Sequence, residues 1–314
     1  CLDPARPWVG ALVRIDLGLS LHVMGDLAEA LPRRLPVGEA CTAPLPALPL
    51  TAMKYERGRC LVVAGSDRYP GAAHLALRGA MASGCGCVQA VVPPCLQFSL
   101  WQVLPEVMQL EDGLIPDRLD AVLVGPGLGN PSRWWNDWSE QLRTVAGLLV
   151  LDADGINALA SSPEGWRWLL QRQGPTWLTP HAAEFARLFP DCGEGDALER
   201  VIAAARCSRC CILLKGAHSV LADSSGAAVV LTGTSPRVAR TGLGDLLAGF
   251  VTGWGAQAVA AQQQPGLESF VASTALHGLA ARRAQSSDAS AIADCLKILA
   301  ARCQKKQTTM FNKV

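Results

Sequence analysis

The stretch CLVVAGSDRYPGAAHLALRGAMASGCGCVQAVVP, residues 60–93, decides the fold class of this 314-residue chain. It opens with an apolar run, CLVVAGS (60–66), passes through a Pro-Gly turn into an Ala-rich segment over 70–84, and ends in a second apolar run, CVQAVVP (87–93). Short apolar runs bounded by Gly, Pro and Ser are typical of buried strands, and the segment between them has the length of a helix. The pattern predicts a strand–helix–strand unit with parallel strands.

The same alternation continues along the rest of the chain. Further runs that predict strands are DAVLVGPG (120–127), GLLVLDADG (147–155), TWLTP (176–180) and CILLKG (211–216). Segments that predict helices between them lie at 130–145, 181–189 and 196–206. Together they predict an α/β fold with a mostly parallel central sheet covered by helices on both faces. In such folds ligands bind outside the carboxyl ends of the strands.

Composition narrows the classes of partner. The chain has 28 basic and 27 acidic side chains and a net charge of +1, which gives no argument for binding nucleic acid or an acidic membrane surface. The longest uncharged stretch, Leu246–Leu267, is interrupted by glycines and glutamines, which favours a buried helix over a membrane span. No secretory signal is visible. We therefore expect a cytoplasmic protein without nucleic-acid or membrane partners.

The 12 cysteines raise the question of a metal site. Cys207 and Cys210 form a C-x-x-C motif, and Cys85 and Cys87 form a C-x-C motif, but no second C-x-x-C stands at the spacing of a zinc site. Both pairs lie in apolar surroundings, where free cysteine packs as a small hydrophobic residue. We expect structural thiols in a reducing compartment and no structural metal.

A candidate anion site lies in ARTGLGDLLAG, residues 239–249. Gly242 and Gly244 precede an apolar helical segment, and a helix N-terminus presents free N–H groups and a partial positive charge. Glycines there let a ligand approach the backbone closely, as in many phosphate sites. Asp245 can equally be a helix cap, with the glycines serving only a tight turn. The motif alone leaves both interpretations open.

Other polar residues follow predicted strands. Asp152 and Asp154, in LDADGIN (151–157), can hold magnesium through water or cap the next helix. His181 and Glu184 stand in the first turn of a predicted helix. A charged imidazole is disfavoured there, whereas a neutral one can donate a hydrogen bond to a ligand or lie unused at the surface.

Three more segments have a functional and an ordinary interpretation. Lys215, in LLKGAHSVLAD (213–223), can reach a phosphate, and the backbone of the turn after it can wrap a nucleotide. The loop VGPGLG (124–129) and the small residues at 71–73 can admit a ligand, or they can serve a sharp turn and helix packing. The loop lacks the pattern of a P-loop.

The order GS…PGAA, GPG, DADG, TPH..E, LKG and G-x-GD resembles the NAD(P)H-hydrate dehydratase family, a branch of the ribokinase-like fold. The resemblance covers roughly residues 50–300 and includes LHGLAARRA (276–284). It implies a ribokinase-like fold and dehydration of hydrated NADH or NADPH, with ADP or ATP as phosphoryl donor together with Mg²⁺. A homo-oligomer is also expected.

The resemblance also implies roles for individual residues. Asp245 becomes the catalytic base. The resemblance places the hydrated cofactor near Ala72, Gly127, His181 and Asp245. It places the adenine nucleotide near Lys215, Gly216, Ala217, His218, Ser219 and Gly244. The anion hole is formed at Gly242, Leu243 and Gly244, and the candidates for holding Mg²⁺ through water are Asp152 and Glu184.

The chain departs from the family's pattern at the anion hole. Leu243 replaces the usual threonine and Arg240 is new, while Ser219 replaces a threonine of the nucleotide loop and only Lys54 remains of an early His-Lys-Gly. Two alternatives therefore stay open. One is a ribokinase-like kinase for a vitamin precursor or sugar. The other is a catalytically inactive nucleotide sensor, which Leu243 and Arg240 favour and the retained Asp245 opposes.

The N-terminal segment differs from the rest. VGALVRIDLGLS (9–20) resembles the last strand of the epimerase domain that precedes the dehydratase in bifunctional members, and prolines cluster at 44–49. We expect residues 1–48 to be the remnant of an N-terminal epimerase domain plus a linker, and residues 49–305 to be the ribokinase-like dehydratase domain. Residues 306–314 would be a tail, and the epimerase domain would be fused upstream in the full-length protein.

Overall fold

A computed structural model describes residues 33–40, 51–111, 115–129, 131–192, 195–233 and 239–311. The strands are β1 (Arg33–Pro36), β2 (Arg59–Val63), β3 (Cys87–Val91), β4 (Met108–Gln109), β5 (Ala121–Val124), β6 (Leu148–Leu151), β7 (Thr176–Leu178), β8 (Cys211–Leu214), β9 (Ser219–Ala222) and β10 (Ala228–Thr232). The α-helices are α1 (Val37–Ala40), α2 (Pro70–Ala82), α3 (Pro94–Val103), α4 (Pro131–Thr144), α5 (Asp154–Ser161), α6 (Ala182–Leu188), α7 (Ala197–Ser208), α8 (Leu243–Ala260), α9 (Leu267–Arg283) and α10 (Ala289–Phe311). Short 3₁₀ turns lie at Lys54–Arg57, Gly165–Gln171 and Pro190–Cys192.

The strands form one sheet in the order β1-β10-β9-β8-β7-β6-β5-β2-β3-β4. Neighbouring strands are parallel except at β9, which runs antiparallel to β8 and to β10. The six strands and four helices predicted between residues 60 and 216 are all present, with ends that differ by a few residues. The prediction of a mostly parallel α/β sheet is confirmed.

Both faces of the sheet are buried because alternate side chains of each strand enter different cores. On β2, Cys60 and Val62 join the core beneath α2, α8 and α9. Leu61 and Val63 join the opposite core, which α4 to α7 cover. This double coverage is the reason why the central strands read as continuous apolar runs.

Helices α2 and α8 are in backbone contact. A Cβ atom on Gly249 would stand 1.8 Å from the carbonyl oxygen of Ala76, and one on Gly79 would stand 2.1 Å from that of Leu246. Only glycine permits this approach, since any side chain would push the helices apart. The contact fixes α8, and with it the ARTGLGD segment, against the sheet.

The order of the strands reverses around β2, whose neighbours are β3 on one side and β5 on the other. The loops after β2 and β5 meet there, because the Gly65 N–H donates to the Pro126 carbonyl (2.8 Å) and the Ser66 hydroxyl donates to the Gly127 carbonyl (2.8 Å). Such a switch point is where open α/β sheets bind ligands.

The N-terminal part of the chain is described only at 33–40. These residues form β1, which pairs in parallel with β10, and α1, so the sheet extends beyond the predicted boundary at residue 49. The predicted strand at 9–20 and the proline cluster lie outside the described residues. Within those residues no helix combines the length and apolar composition needed to cross a membrane.

Candidate functional site

A buried ion pair links two of the predicted site residues at the carboxyl edge of the sheet. The Nζ of Lys215, just after β8, donates to the Oδ1 of Asp152, just after β6, at 2.7 Å. The Thr179 hydroxyl donates to the same oxygen at 2.7 Å. Because the Asp152 side chain is 2% exposed and the Lys215 side chain 22%, the pair is largely shielded from water. Thr179 was not predicted, although it stands in the quoted segment TWLTP.

His181 and Glu184 form the N-terminal cap of α6. The His181 Nδ1 accepts hydrogen bonds from the N–H groups of Ala183 (3.1 Å) and Glu184 (3.4 Å), and the Glu184 carboxylate accepts one from the His181 N–H (2.9 Å). Because Nδ1 accepts these bonds, Nε2 is the ring nitrogen that can donate. The His181 Nε2 lies 3.1 Å from the Glu184 Oε1, and the side chain is 53% exposed, so a ligand at the surface can compete for this nitrogen.

Asp245 lies in the first turn of α8 without capping it. The N-cap is Gly242, in a left-handed conformation (φ +87°), and no side chain caps this helix end. The capping interpretation of Asp245 is therefore wrong. A Cβ on Gly244 would stand 3.6 Å from the Lys215 Nζ, so the lysine reaches the start of the helix.

The start of α8 offers free hydrogen-bond donors. The N–H groups of Gly244 and Asp245 make no hydrogen bond to any part of the chain that the structure describes. The Leu243 N–H instead donates to the Arg240 carbonyl at 3.3 Å, in the turn before the helix. Two adjacent free donors at a helix N-terminus beside a lysine form a site suited to an anion.

The three carboxylates around Lys215 perturb one another. Burial and the charge of Asp152 together raise the pKa of Asp245 to about 7, although Lys215 opposes the rise. Burial also raises the pKa of Glu184, again against Lys215. Burial lowers the pKa of Lys215, but Asp152 and Glu184 outweigh this effect, and the net pKa is raised. The lysine therefore stays charged, while Asp245 can gain or lose a proton near neutral pH.

Ala72 and Gly127 meet on the other side of the site. Gly127 has a positive φ of 63°, and a Cβ on it would stand 2.6 Å from the Ala72 Cβ and 2.9 Å from the Tyr69 Cβ. A cleft of about 480 Å³ lies next to them, between the loops after β2 and β5. The two predicted residues are therefore neighbours, at a position where a Cβ on residue 127 would not fit beside Ala72.

A strained residue, Ala153, lies between Asp152 and Asp154, which make different contacts. Ala153 has φ +46°, a conformation that costs a non-glycine residue of order 1–3 kcal/mol. This turn leaves Asp152 in the buried ion pair, while Asp154 accepts a hydrogen bond from the Gly129 N–H (2.9 Å) and lines the cleft. Strain of this kind is concentrated at functional sites.

Comparison with known proteins identifies the family. The sequence profile of the NAD(P)H-hydrate dehydratase family matches residues 60–301. The chain belongs to the NAD(P)H-hydrate dehydratase family. It is 40% identical over 272 residues to a bifunctional NAD(P)H-hydrate repair enzyme of Gloeobacter violaceus, covering 79% of this chain and 51% of that protein. A namesake from Synechocystis is 36% identical over 265 residues, covering 80% and 50%. The chain thus spans about half the length of the curated relatives it matches.

Solved structures agree with this assignment. An ADP/ATP-dependent NAD(P)H-hydrate dehydratase of Bacillus subtilis, co-crystallised with ATP/Mg²⁺, is 25% identical with a TM-score of 0.71 over 87% of this chain and 99% of that one. A ribokinase-like superfamily protein of Enterococcus faecalis has a TM-score of 0.75 at 22% identity, over 87% and 96%. The second match shows the fold alone. The predictions of the family and of the ribokinase-like fold are confirmed.

The two departures at the anion hole, Leu243 and Arg240, direct their side chains to other contacts. The Leu243 side chain is 1% exposed and packs in the core between α8, α9 and α10. The Arg240 guanidinium is exposed and donates to the Ser287 hydroxyl at 3.2 Å. Neither side chain takes the place of a group in the cluster around Lys215.

The turn after Lys215 and the predicted magnesium ligands are the remaining elements of the predicted site. The turn Gly216–His218 joins β8 to β9, with Gly216 and Ala217 exposed, so it is open to a nucleotide. No group of three His, Cys, Asp or Glu side chains in the described ranges has a metal-binding arrangement. The Asp152 Oδ1 and the Glu184 Oε2 accept hydrogen bonds from protein donors, and the Glu184 Oε1 lies 3.1 Å from the His181 Nε2.

Proposed function

We propose that this chain catalyses the ADP- or ATP-dependent dehydration of hydrated NADH and NADPH, which restores the intact cofactors. The observation that carries the proposal is Asp245, a carboxyl group with a pKa of about 7 beside two free helix N–H groups and the charged Lys215. The family, the names of the curated relatives and the Bacillus subtilis dehydratase support it.

The chemistry begins with a poor leaving group. Water added across the nicotinamide ring leaves a hydroxyl next to the ring nitrogen, and hydroxide does not depart readily. The hydroxyl oxygen attacks the terminal phosphorus of ADP or ATP, its proton passes to Asp245, and AMP or ADP leaves. The nitrogen lone pair then expels phosphate from the ring carbon. Loss of a proton from the adjacent carbon restores the double bond.

The proposed roles follow from what each group offers. Asp245 is the general base, because a base works best with a pKa near the operating pH. The free N–H groups of Gly244 and Asp245, with Lys215, stabilise the charge on the transferring phosphoryl group. The turn Lys215–Ser219 holds the nucleotide. The hydrated ring lies against Ala72 and Gly127, and the Nε2–H of His181 donates a hydrogen bond to it.

Magnesium would accompany the nucleotide. The Bacillus subtilis dehydratase was co-crystallised with ATP/Mg²⁺. Three carboxylates, of which Asp152 and Glu184 are two, leave an excess of negative charge around Lys215. These two residues would hold the ion through water, as Mg²⁺ retains much of its hydration shell in proteins. When bound, the ion neutralises phosphate charge.

The inactive-sensor alternative loses its main support, since Leu243 is a core residue and Arg240 binds Ser287. The decisive experiment measures the absorbance of NADH regenerated from purified NADH hydrate with ADP, with ATP and with neither. We expect regeneration only with a nucleotide. A kinase would instead accumulate a phosphorylated product, and a sensor would bind nucleotide without turnover. Either outcome would reject the proposal.

A further inference from the structure

The cleft between the loops after β2 and β5 has no role in the steps described above. Its volume of about 480 Å³ is typical of ligand pockets. Its polar lining includes Ser66, Asp67, Arg68, Gly129 and Asp154. The hydrated ring accounts for only one end of a dinucleotide, so the ribose and phosphate groups need a surface that continues from the ring site.

The cleft is continuous with the ring site through Tyr69. The Tyr69 Cβ would be 2.9 Å from a Cβ on Gly127, so this residue borders the position proposed for the ring. The Arg68 guanidinium lies 5.3 Å from the centroid of the Tyr69 ring. Both residues line the cleft. Gly127, Tyr69 and Arg68 therefore follow one another from the ring site into the cleft.

The charges of the cleft suit the sugar and phosphate groups of a dinucleotide. Arg68 is the cation among the lining residues, and it forms no ion pair with a carboxylate in the described ranges. An unpaired guanidinium presents donors that match phosphate oxygens. Asp67 and Asp154 also line the cleft, and carboxylates accept hydrogen bonds from ribose hydroxyls.

We propose that this cleft holds the ribose–phosphate portion of the hydrated dinucleotide and that Arg68 contacts one of its phosphate groups. The inference rests on the proposed function for the choice of ligand. The phosphate belongs either to the diphosphate, which NADH and NADPH share, or to the 2′-phosphate, which only NADPH has.

The test compares the wild type with Arg68→Gln in equilibrium binding of NADH and of NADPH, and in kcat/KM for the two hydrates. The control is Arg167→Gln. Arg167 also stacks on a neighbouring aromatic ring, that of Trp166 at 4.9 Å, but it lies in the turn before β7, at the opposite end of the sheet. Because Arg68→Gln removes a charged hydrogen bond, we expect it to weaken dinucleotide binding and to lower kcat/KM by about 10- to 100-fold. The KM for ADP or ATP is expected to stay unchanged in Arg68→Gln. The control Arg167→Gln is expected to keep the wild-type binding and kcat/KM.

The two dinucleotides separate the sources of phosphate. If Arg68→Gln loses affinity for both NADH and NADPH, Arg68 contacts the diphosphate. If it loses affinity for NADPH alone, Arg68 contacts the 2′-phosphate. Equal binding by Arg68→Gln and wild type, or no binding of either dinucleotide by the wild type, overturns the inference. A wild type that binds through Arg68 but regenerates no NADH or NADPH would reject the proposed function and leave the cleft assignment standing.

Discussion

Asp245 shows how one residue acquires a chemical role from its surroundings. A carboxylate in the first turn of a helix is normally stabilised by the helix dipole. Here burial and the neighbouring Asp152 outweigh that effect and raise the pKa to about 7. The residue makes no cap bond that would explain its presence. Proton exchange near neutral pH is therefore the property that distinguishes it.

Asp245→Asn tests this role directly. Turnover should fall by about 10²–10⁴, the usual contribution of a positioned general base. In the wild type, kcat/KM should decline as pH falls through about 7, because protonation of Asp245 removes the base. The NADH-regeneration assay across pH measures both effects. An Asn variant with near-full activity, or a wild-type profile that is flat through this range, would reject the mechanism.

Thr179 is the positioning residue behind Lys215. Its hydroxyl and the Lys215 Nζ share the Asp152 Oδ1, so the hydroxyl fixes the carboxylate that fixes the lysine. Thr179→Val should lower kcat/KM by about 10-fold, near the lower end for a hydrogen bond to a charged group. Thr179→Ser should restore it. A purely structural role would lower only the thermal midpoint and leave kcat unchanged at temperatures where the variant is folded.

His181 can be tested without disturbing its helix. Asn caps helices well, so His181→Asn should keep α6 intact while removing the Nε2–H donor. The KM for the hydrate should rise by about 5- to 10-fold, the value of a modest neutral hydrogen bond, and the KM for ADP or ATP should not. Steady-state kinetics with each substrate varied in turn measures the two. A rise confined to the nucleotide would move His181 to the other half of the site.

At the scale of elements, the packing of α2 against α8 holds the catalytic helix in place. Gly249→Ala would insert a methyl group 1.8 Å from the Ala76 carbonyl oxygen, within a contact between two helix backbones. We expect a loss of about 1–3 kcal/mol in the free energy of unfolding, as for other overpacked cores. Gly71→Ala is the matched control, because Gly71 lies in α2, the partner helix, and no atom lies within 4 Å of the added methyl. Denaturant titration of both compares them, and equal midpoints would contradict the role of this contact.

Strands were predictable from the sequence where a continuous apolar run marked them. Buried parallel strands such as β5 and β6 are apolar throughout, because both of their faces are covered, and the runs that mark them are plain in the sequence. Strand β1 was missed because Arg33–Pro36 is half polar and lies at the edge of the sheet.

The candidate site was predictable where a motif stood at a strand end, as for Asp152, Lys215 and Asp245. Thr179 was not, since its role depends on a contact with Asp152, 27 residues earlier in the chain. The resemblance to the dehydratases named the residues, whereas only the fold could show that Asp245 is not a cap.

At the scale of the whole molecule, folding gathers three acidic side chains around one lysine. The pKa of Asp245 is raised from 3.8 to about 7, so the folded state binds its proton more tightly than the unfolded chain does. A group with a raised pKa contributes stability that is fully present below its unfolded pKa and is lost as pH rises through the folded value. The contribution of Asp245 therefore declines between about pH 4 and pH 7.

The raised pKa of Asp245 predicts a pH-dependent difference in thermal stability between the wild type and Asp245→Asn. The amide cannot ionise, so above pH 7 the variant escapes the cost of a third buried negative charge and should unfold at a higher temperature than the wild type. At pH 4, where the folded wild type carries a neutral Asp245, the two midpoints should converge. Thermal unfolding at both pH values isolates this group, because the other titrating residues are common to the two proteins. A variant that is no more stable than the wild type at pH 8 would show that the Asp245 carboxylate is not held at a raised pKa, and the general-base role would lose its physical basis.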